Sequence, residues 1–339
     1  MSRDNTAEQK SGTRGRNATQ PSQIPNAGWW DILLRLKDQI SQDNVSIVAA
    51  GVAFYAVLAL FPALAAIVSL YGLFTEASDI QQQITSLSSF LPHDTQTLIQ
   101  EQLTTISTSG ESALSFGAIG GLFFAIWSAS KGMAAMITSL NIAYNEEEER
   151  SFIKVTALAL GLTVGGLIFV ILTLFLITLL PAVLHALGFG QKMQTALSLI
   201  RWPLLAMIVM GGLAILYRYA PCRNYPRWQW VSWGAGIATL MWIVGSSAFA
   251  IYANDYSSYN QTYGSLGAAV ILLMWFWLTA FIVMVGAEIN SEMERQTRAD
   301  TTEGEPEPMG QRQAYSADTL GRTAETHPSS PRSSARLGQ

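Results

Sequence analysis

From Leu266 to Asn290 the chain reads LGAAVILLMWFWLTAFIVMVGAEIN, with no charge before Glu288. At about 1.5 Å per helical residue, such a run crosses a hydrocarbon core about 30 Å thick. Four further apolar runs are uninterrupted, and another, Ala113 to Ala135, is broken only by Lys131. A segment surrounded by hydrocarbon must satisfy its own backbone hydrogen bonds, and a continuous apolar run does so as a helix. The chain therefore reads as an all-α, polytopic membrane protein, and its chemistry has to be argued with lipid as one of its solvents.

The sparse charge agrees. Charged residues make up 13% of the sequence, against roughly 25% in soluble domains. A single cysteine, Cys222, excludes an internal disulfide framework and a cysteine-based zinc site. His93, His185 and His327 lie far apart, so no histidine metal cluster is readable. A net charge of −4 without a basic stripe gives no nucleic-acid footprint. Nucleotide-binding loops, HExxH and GxSxG motifs are missing from the sequence. No cofactor is expected, and no enzymatic activity.

Six spans are expected, near Val45–Phe74, Ala113–Asn141, Lys154–His185, Ala196–Ala220, Gln229–Ala253 and Thr262–Asn290. Tryptophans gather at their ends (Trp29, Trp30, Trp202, Trp228, Trp230, Trp233), where amphipathic rings prefer the membrane interface. The 20 lysines and arginines then set the orientation. Eighteen fall on the two tails and the second and fourth connections, and two, Lys192 and Arg201, on the opposite side. The positive-inside rule places both termini in the cytoplasm, and in a bacterium the location is the inner (plasma) membrane. The first apolar run is too long for a cleavable signal core and reads as a signal anchor.

Three segments lie outside the spans. Residues 1–27 and 297–339 are polar with hardly any large apolar residues, so they are expected to be disordered cytoplasmic tails around a domain at 28–296. Between Trp29 and Ile40, the stripe Trp29, Leu33, Leu36, Ile40 opposes Asp31, Arg35 and Asp38, predicting a helix lying in the membrane interface. Thr75–Ser112 is almost uncharged. Apolar stripes on either side of Pro92 predict an external helical hairpin there, either a cap over an outward-facing cavity or simply a packed loop.

Ionisable groups inside spans are costly and mark candidate sites. Lys131 and Glu288 both fall near the inner ends of their helices, with Asn141 and Asn290 in the same layer. Pairing of Lys131 with Glu288 would lower the cost of burying either; the alternative is a lysine whose stem snorkels to the interface. Small and kinking residues form a second group. Gly161 and Gly165 make a GxxxG, while Gly264, Gly267 and Gly286 line the last span and Pro62 interrupts the first. These suit close helix packing or hinges. The acidic run Glu146–Glu149 beside Arg150 reads as a solvated boundary.

Seven stretches together resemble the YihY/BrkB family of bacterial inner-membrane proteins, over roughly residues 30–295. They are Ala53-Phe54-Tyr55, Leu60-Phe61-Pro62, Trp127 to Lys131, Leu140 to Tyr144, Tyr219-Ala220-Pro221, Tyr263 to Gly267, and Gly286 to Asn290. The resemblance implies a six-helix membrane protein with an extended first hairpin. Members have carried the label ribonuclease BN, and others are named for serum resistance. Suggestions within the family point to envelope lipid export. Metal-dependent tRNA hydrolysis needs clustered ligands, which three scattered histidines do not supply. The leading expectation is a transporter or flippase-like permease, with membrane lipids around it and a lipidic or amphipathic envelope substrate. The runner-up is a non-transporting scaffold that binds an envelope partner, and an intramembrane enzyme comes third.

Overall fold

The computed structural model describes residues 14–72, 111–179, 191–255 and 265–324. These form helices joined by turns, with no strand among the described residues. In chain order they are α1 (Asn26–Gln42), α2 (Val45–Gly72), α3 (Glu111–Tyr144), α4 (Phe152–Leu174), α5 (Gln191–Tyr219), α6 (Trp228–Asp255), α7 (Ser265–Glu294) and the single-turn α8 (Tyr315–Asp318). A short π-helical stretch, Phe175–Leu179, extends α4. Five segments are long and apolar enough to cross a membrane: Gly120–Tyr144, Phe152–Ile177, Leu199–Tyr219, Trp228–Ala253 and Ala269–Glu294. The bent pair of α1 with Val45–Leu60 is the sixth candidate. This is the all-α polytopic fold that the apolar runs dictate. The hairpin expected over Thr75–Ser112 lies outside the described residues, apart from the start of α3, and so does Gly264.

Local chemistry explains the breaks. α1 and α2 meet at a 60° bend, where Asn44 takes φ +49°. Asparagine tolerates this left-handed conformation because its short polar side chain bonds locally. Asn145 ends α3 the same way, at φ +55°. Pro62 lies within α2, which runs on to Gly72.

α7 is the central helix. It packs against α1, α2, α3 and α6, while α3 also holds α2 and α4, and α5 lies against α6. Two buried clusters form around it. One joins Ile137, Leu140 and Tyr144 of α3 to Tyr217 of α5, Ala235 of α6 and Val283 of α7. The other joins Ile32 and Leu36 of α1 to Val45 and Ala49 of α2 and Met284 and Met293 of α7. Large apolar side chains such as Phe123, Phe124, Ile168, Leu240 and Val244 point outward. Exposed apolar area on this scale belongs against lipid rather than water.

Where they are described, at residues 14–27 and 297–324, the segments expected to be disordered tails are folded. Residues 14–25 and 295–324 interweave over the end of the bundle where α3 and α7 finish, and close it as a cap. Arg298 donates its backbone N–H to Arg16 O (2.8 Å), Arg227 to Thr301 O (2.9 Å) and Gly321 to Arg295 O (2.9 Å). Arg312 is buried and serves four carbonyls, those of Arg298, Ala299, Glu307 and Ala317. Composition misled here because large apolar residues are not the only means of offsetting chain entropy. Small side chains (Ala18, Ala314, Ala317) bury against the bundle, and arginines saturate backbone acceptors that would otherwise need water.

α1 keeps its two faces apart. Asp31 and Arg35 are buried while Trp30 and Leu33 are exposed. The buried stripe, Gly28, Asp31, Ile32 and Arg35, faces the cap. Ionic partners in the cap satisfy Asp31 and Arg35, Leu36 joins the core beside them, and Trp30 and Leu33 are left outward.

Candidate functional site

The cap end of the bundle holds a buried polar layer built mainly on the last two turns of α7. Glu288, Asn290, Glu292 and Glu294 all lie there with essentially no exposure. Burying carboxylates is expensive unless every lone pair finds a donor, and two of the three glutamates meet that condition. Glu294 takes a bidentate pair from Arg223 at 3.0 and 2.6 Å and a hydrogen bond from Thr301 Oγ1 at 2.6 Å. The Arg223 guanidinium also lies 5.1 Å from the centre of the Tyr144 ring. Glu292 bridges Arg35 and Arg295, and Arg35 donates again to Glu292 O at 3.0 Å and Arg322 O at 2.7 Å. Asp31, one layer further out, pairs with Arg14 at 2.6 Å and accepts the Ala324 N–H at 2.7 Å.

Glu288 is different. One turn above Glu292 and fully buried, it accepts from no donor among the described residues, and its near neighbour is the carboxyl of Asp43, with which a hydrogen bond forms only when one of the two holds a proton. The charged groups that face it are Asp43, Glu292 and Arg295. Lys131 is not among them. Its ammonium sits 4.7 Å over the ring of Trp127, one turn back on the exposed stripe of α3 that also carries Phe124 and Thr138. The expected Lys131–Glu288 pair is therefore not formed. The cause is helical phase: Ile137, Leu140 and Tyr144 hold one face of α3 inward and thereby turn Lys131 outward.

Each of the two asparagines accepts a backbone N–H from another segment. Asn141 donates to Glu148 at 3.0 Å and accepts the Cys222 N–H at 2.8 Å, linking the ends of α3 and α5. Asn290 Oδ1 accepts the Gly234 N–H at 2.9 Å across the α6–α7 crossing. That approach needs glycine on both helices. A Cβ on Gly286 would meet Ala238 Cβ at 2.7 Å, and one on Gly234 would collide with Asn290. Tyr217 completes the crossing by donating to Val283 O at 2.9 Å. Gly161 and Gly165 behave oppositely, since a Cβ on either meets nothing within 4 Å. Among the described residues, their GxxxG therefore makes no close contact with another helix. Gly267 is partly buried on α7.

The acidic run after α3 does more than bound the span. Glu148 chelates Arg150, with Nε at 2.7 Å and Nη2 at 2.6 Å, and this pairing holds its carboxyl down to about 2. Arg150 also donates to Ala220 O at 2.8 Å. Glu146 accepts the Tyr315 N–H at 2.8 Å, tying α8 to the bundle, and burial pushes its carboxyl up to about 7.

Sequence reasoning missed Arg223, Glu292, Glu294 and Gly234. A usable signal was present in part: α7 continues for one turn past the apolar run, as SEME, where an amphipathic end places Glu292 one turn below Glu288. The arginine partners come from residues distant in sequence and left no such trace.

A profile of the family described as Virulence factor BrkB matches residues 36–311. The ribonuclease-like protein YfkH of Bacillus subtilis (strain 168) is 30% identical over 74% of this chain and 90% of its own length. A UPF0761 membrane protein of Cronobacter sakazakii is 25% identical over 74% of this chain and 84% of its own. Another, from Psychromonas ingrahamii, is 24% identical over 78% and 88%. No solved structure matches.

Proposed function

The chain belongs to the family of the virulence factor BrkB, and we propose that it is a permease that moves a lipidic or amphipathic envelope substrate across a bacterial inner membrane. The observation that carries this reading is Glu288, a fully buried carboxyl within a spanning helix that accepts from no donor among the described residues and faces the carboxyl of Asp43, directly above the ionic layer. Such a group is costly, and intramembrane acids of this kind mark substrate or ion pathways. The saturated layer below it is what closes one end of a permease at rest. Both ends of the described chain meet in the cap, which supports an even number of crossings, with the bent α1–α2 unit as the sixth. Together with the basic residues on that side, this favours a cytoplasmic cap and cytoplasmic termini. No covalent chemistry is assigned to the protein.

Reconstitution tests the reading. Purified full-length protein in liposomes should carry a fluorescent phospholipid between leaflets, and Glu288→Gln should change that rate while leaving folding intact. Correctly folded protein that moves no lipid, or movement indifferent to Glu288→Gln, would overturn it. A stable stoichiometric envelope partner in place of transport would instead identify a scaffold.

A further inference from the structure

The bend between α1 and α2 brings a second carboxyl to Glu288. Asp43 ends α1, its backbone N–H donating to Gln39 O at 2.9 Å, and Asn44 follows in the left-handed conformation at the 60° turn of the chain. Beyond the bend, Val45 and Ala49 share a buried cluster with Val285 and Ile289 of α7, and Trp277 Nε1 of α7 donates to Ser46 O at 3.0 Å. This docking sets Asp43 beside Glu288. Their surroundings differ. Asp43 is half-buried, and its Oδ2 accepts from Gln39 Nε2 at 2.9 Å. Glu288 is fully buried and accepts from no donor among the described residues.

No cation is free to compensate the two. The charged groups facing Glu288 are Asp43, Glu292 and Arg295; Arg295 is bound to Glu292, which Arg35 of α1 also holds. α3 contributes the Tyr144 hydroxyl and turns Lys131 away over Trp127. α2 carries no Asp, Glu, Lys, Arg or His, and α6 has only Asp255, at the end remote from the cap. Two carboxylates in contact at such a place do not both stay ionised. A metal ion would need a larger ligand set, and among the described residues no group of three acids, histidines or cysteines is arranged to hold one. One proton answers the same problem with two ligands. The Glu288 hydroxyl donates to the Asp43 carboxylate, whose charge the Gln39 amide helps to hold.

We propose that Asp43 and Glu288 bind a single proton, taken up from water at the bend through Asp43, and that this proton latches the α1–α2 unit to α7. When the proton returns to water by the same route, the two carboxylates repel each other and the bend moves off α7, unseating Val45. The site goes beyond the permease reading and stands apart from it: the proton is held whether or not a lipid moves.

Two measurements on the full chain in detergent test this. Infrared difference spectra of Glu288→Gln against wild type at neutral pH should show the loss of one protonated-carboxyl C=O band. The latch is read by maleimide labelling, with Cys222→Ser throughout. Labelling of Val45→Cys, buried under the latch, is divided by that of the exposed Ile47→Cys, which cancels thiol ionisation. With Asp43 and Glu288 intact, the ratio should rise about tenfold per pH unit through the titration, the slope of a single proton. It should stay low and flat in Glu288→Gln and in Asp43→Asn, whose amides stand in for the protonated acid; Asp43→Asn carries this arm alone where Glu288→Gln does not fold. An unchanged band in Glu288→Gln, a ratio flat in pH with both acids present, or an equal rise in the amide variants would overturn the proposal. A ratio lowered by sodium in place of choline at fixed pH would also overturn it, in favour of a metal cation.

Discussion

The cap end and the α4–α5 flank solve opposite problems with the same chain. At the cap, arginines, glutamates and threonines are buried and tied together by ion pairs and hydrogen bonds to backbone carbonyls, although atoms such as Arg295 Nε, Gln296 Oε1 and both Glu288 oxygens find no partner among the described residues. On the flank, apolar side chains face outward, helices approach loosely, and glycines border empty space. A soluble protein hides apolar residues and displays charge; here the order is inverted because lipid covers the flank and the cap's water has been replaced by protein donors. Stability at the cap therefore depends on hydrogen-bond completeness. On the flank, each residue can be exchanged with little consequence for its neighbours.

The contrast breaks most visibly at the buried ion pair. Arg223→Met strands Glu294 in a dry site and should cost about 3–5 kcal/mol, whereas Arg223→Met with Glu294→Leu should recover most of it. Thermal unfolding in detergent reads both, and an unchanged midpoint in the single variant would deny that the cap is held by its charges. Next in size is the α6–α7 crossing. Gly286→Val should cost about 1–3 kcal/mol or more through overpacking, while Gly161→Val on the flank should leave the midpoint nearly unmoved. Similar losses at the two glycines would erase the distinction.

Two carboxylates at the rim of the cap sharpen it further, with opposite signs. Glu146 has its folded pKa raised to about 7 from an ordinary 4.5, so between those values the folded state keeps a proton that the unfolded chain has released. Its contribution is greatest below about pH 4.5 and declines as pH rises through 7. Glu148, held at about 2 by Arg150, contributes above pH 4.5 and loses that contribution as pH falls toward 2. Unfolding midpoints against pH should lose their decline between pH 5 and 7 in Glu146→Gln; a wild-type slope persisting in that variant would exclude Glu146 as its source. The smallest expected effect is Gly161→Ala, neutral to stabilising by at most about 1 kcal/mol through helix propensity. A measurable loss there would mean that the α4 face is packed rather than lipid-covered.

How legible this was depends on what each signal measures. The apolar runs located the spanning helices because a lipid-crossing helix must be apolar over a fixed length. The same property hid which face points inward: α3, α4 and α7 are apolar nearly all round, so periodicity could not reveal that Lys131 turns outward or that Gly161 and Gly286 differ. The polar cap was invisible for a different reason. Its partners pair Arg223 with Glu294 and Arg35 with Glu292 across distant segments, and composition records only that such residues are soluble. Asn141 and Asn290 stood out as polar atoms inside apolar helices, but their roles depend on backbone atoms at Cys222 and Gly234 that only the packed helices bring into reach.

The interwoven termini also dictate an order of assembly. Arg16 donates to Gly321 O at 2.6 Å across 305 positions of chain, and Gln296 holds Arg14 O at 2.7 Å. During synthesis the first twenty-odd residues emerge from the ribosome before any of their acceptors exist. The opening helix must wait, unsecured, until the final span has been inserted and its trailing segment released. A chain cut short after α7 would retain its spanning helices but lack the carbonyls of Gly321 and Arg322 that Arg16 and Arg35 use, so the cap would stay open.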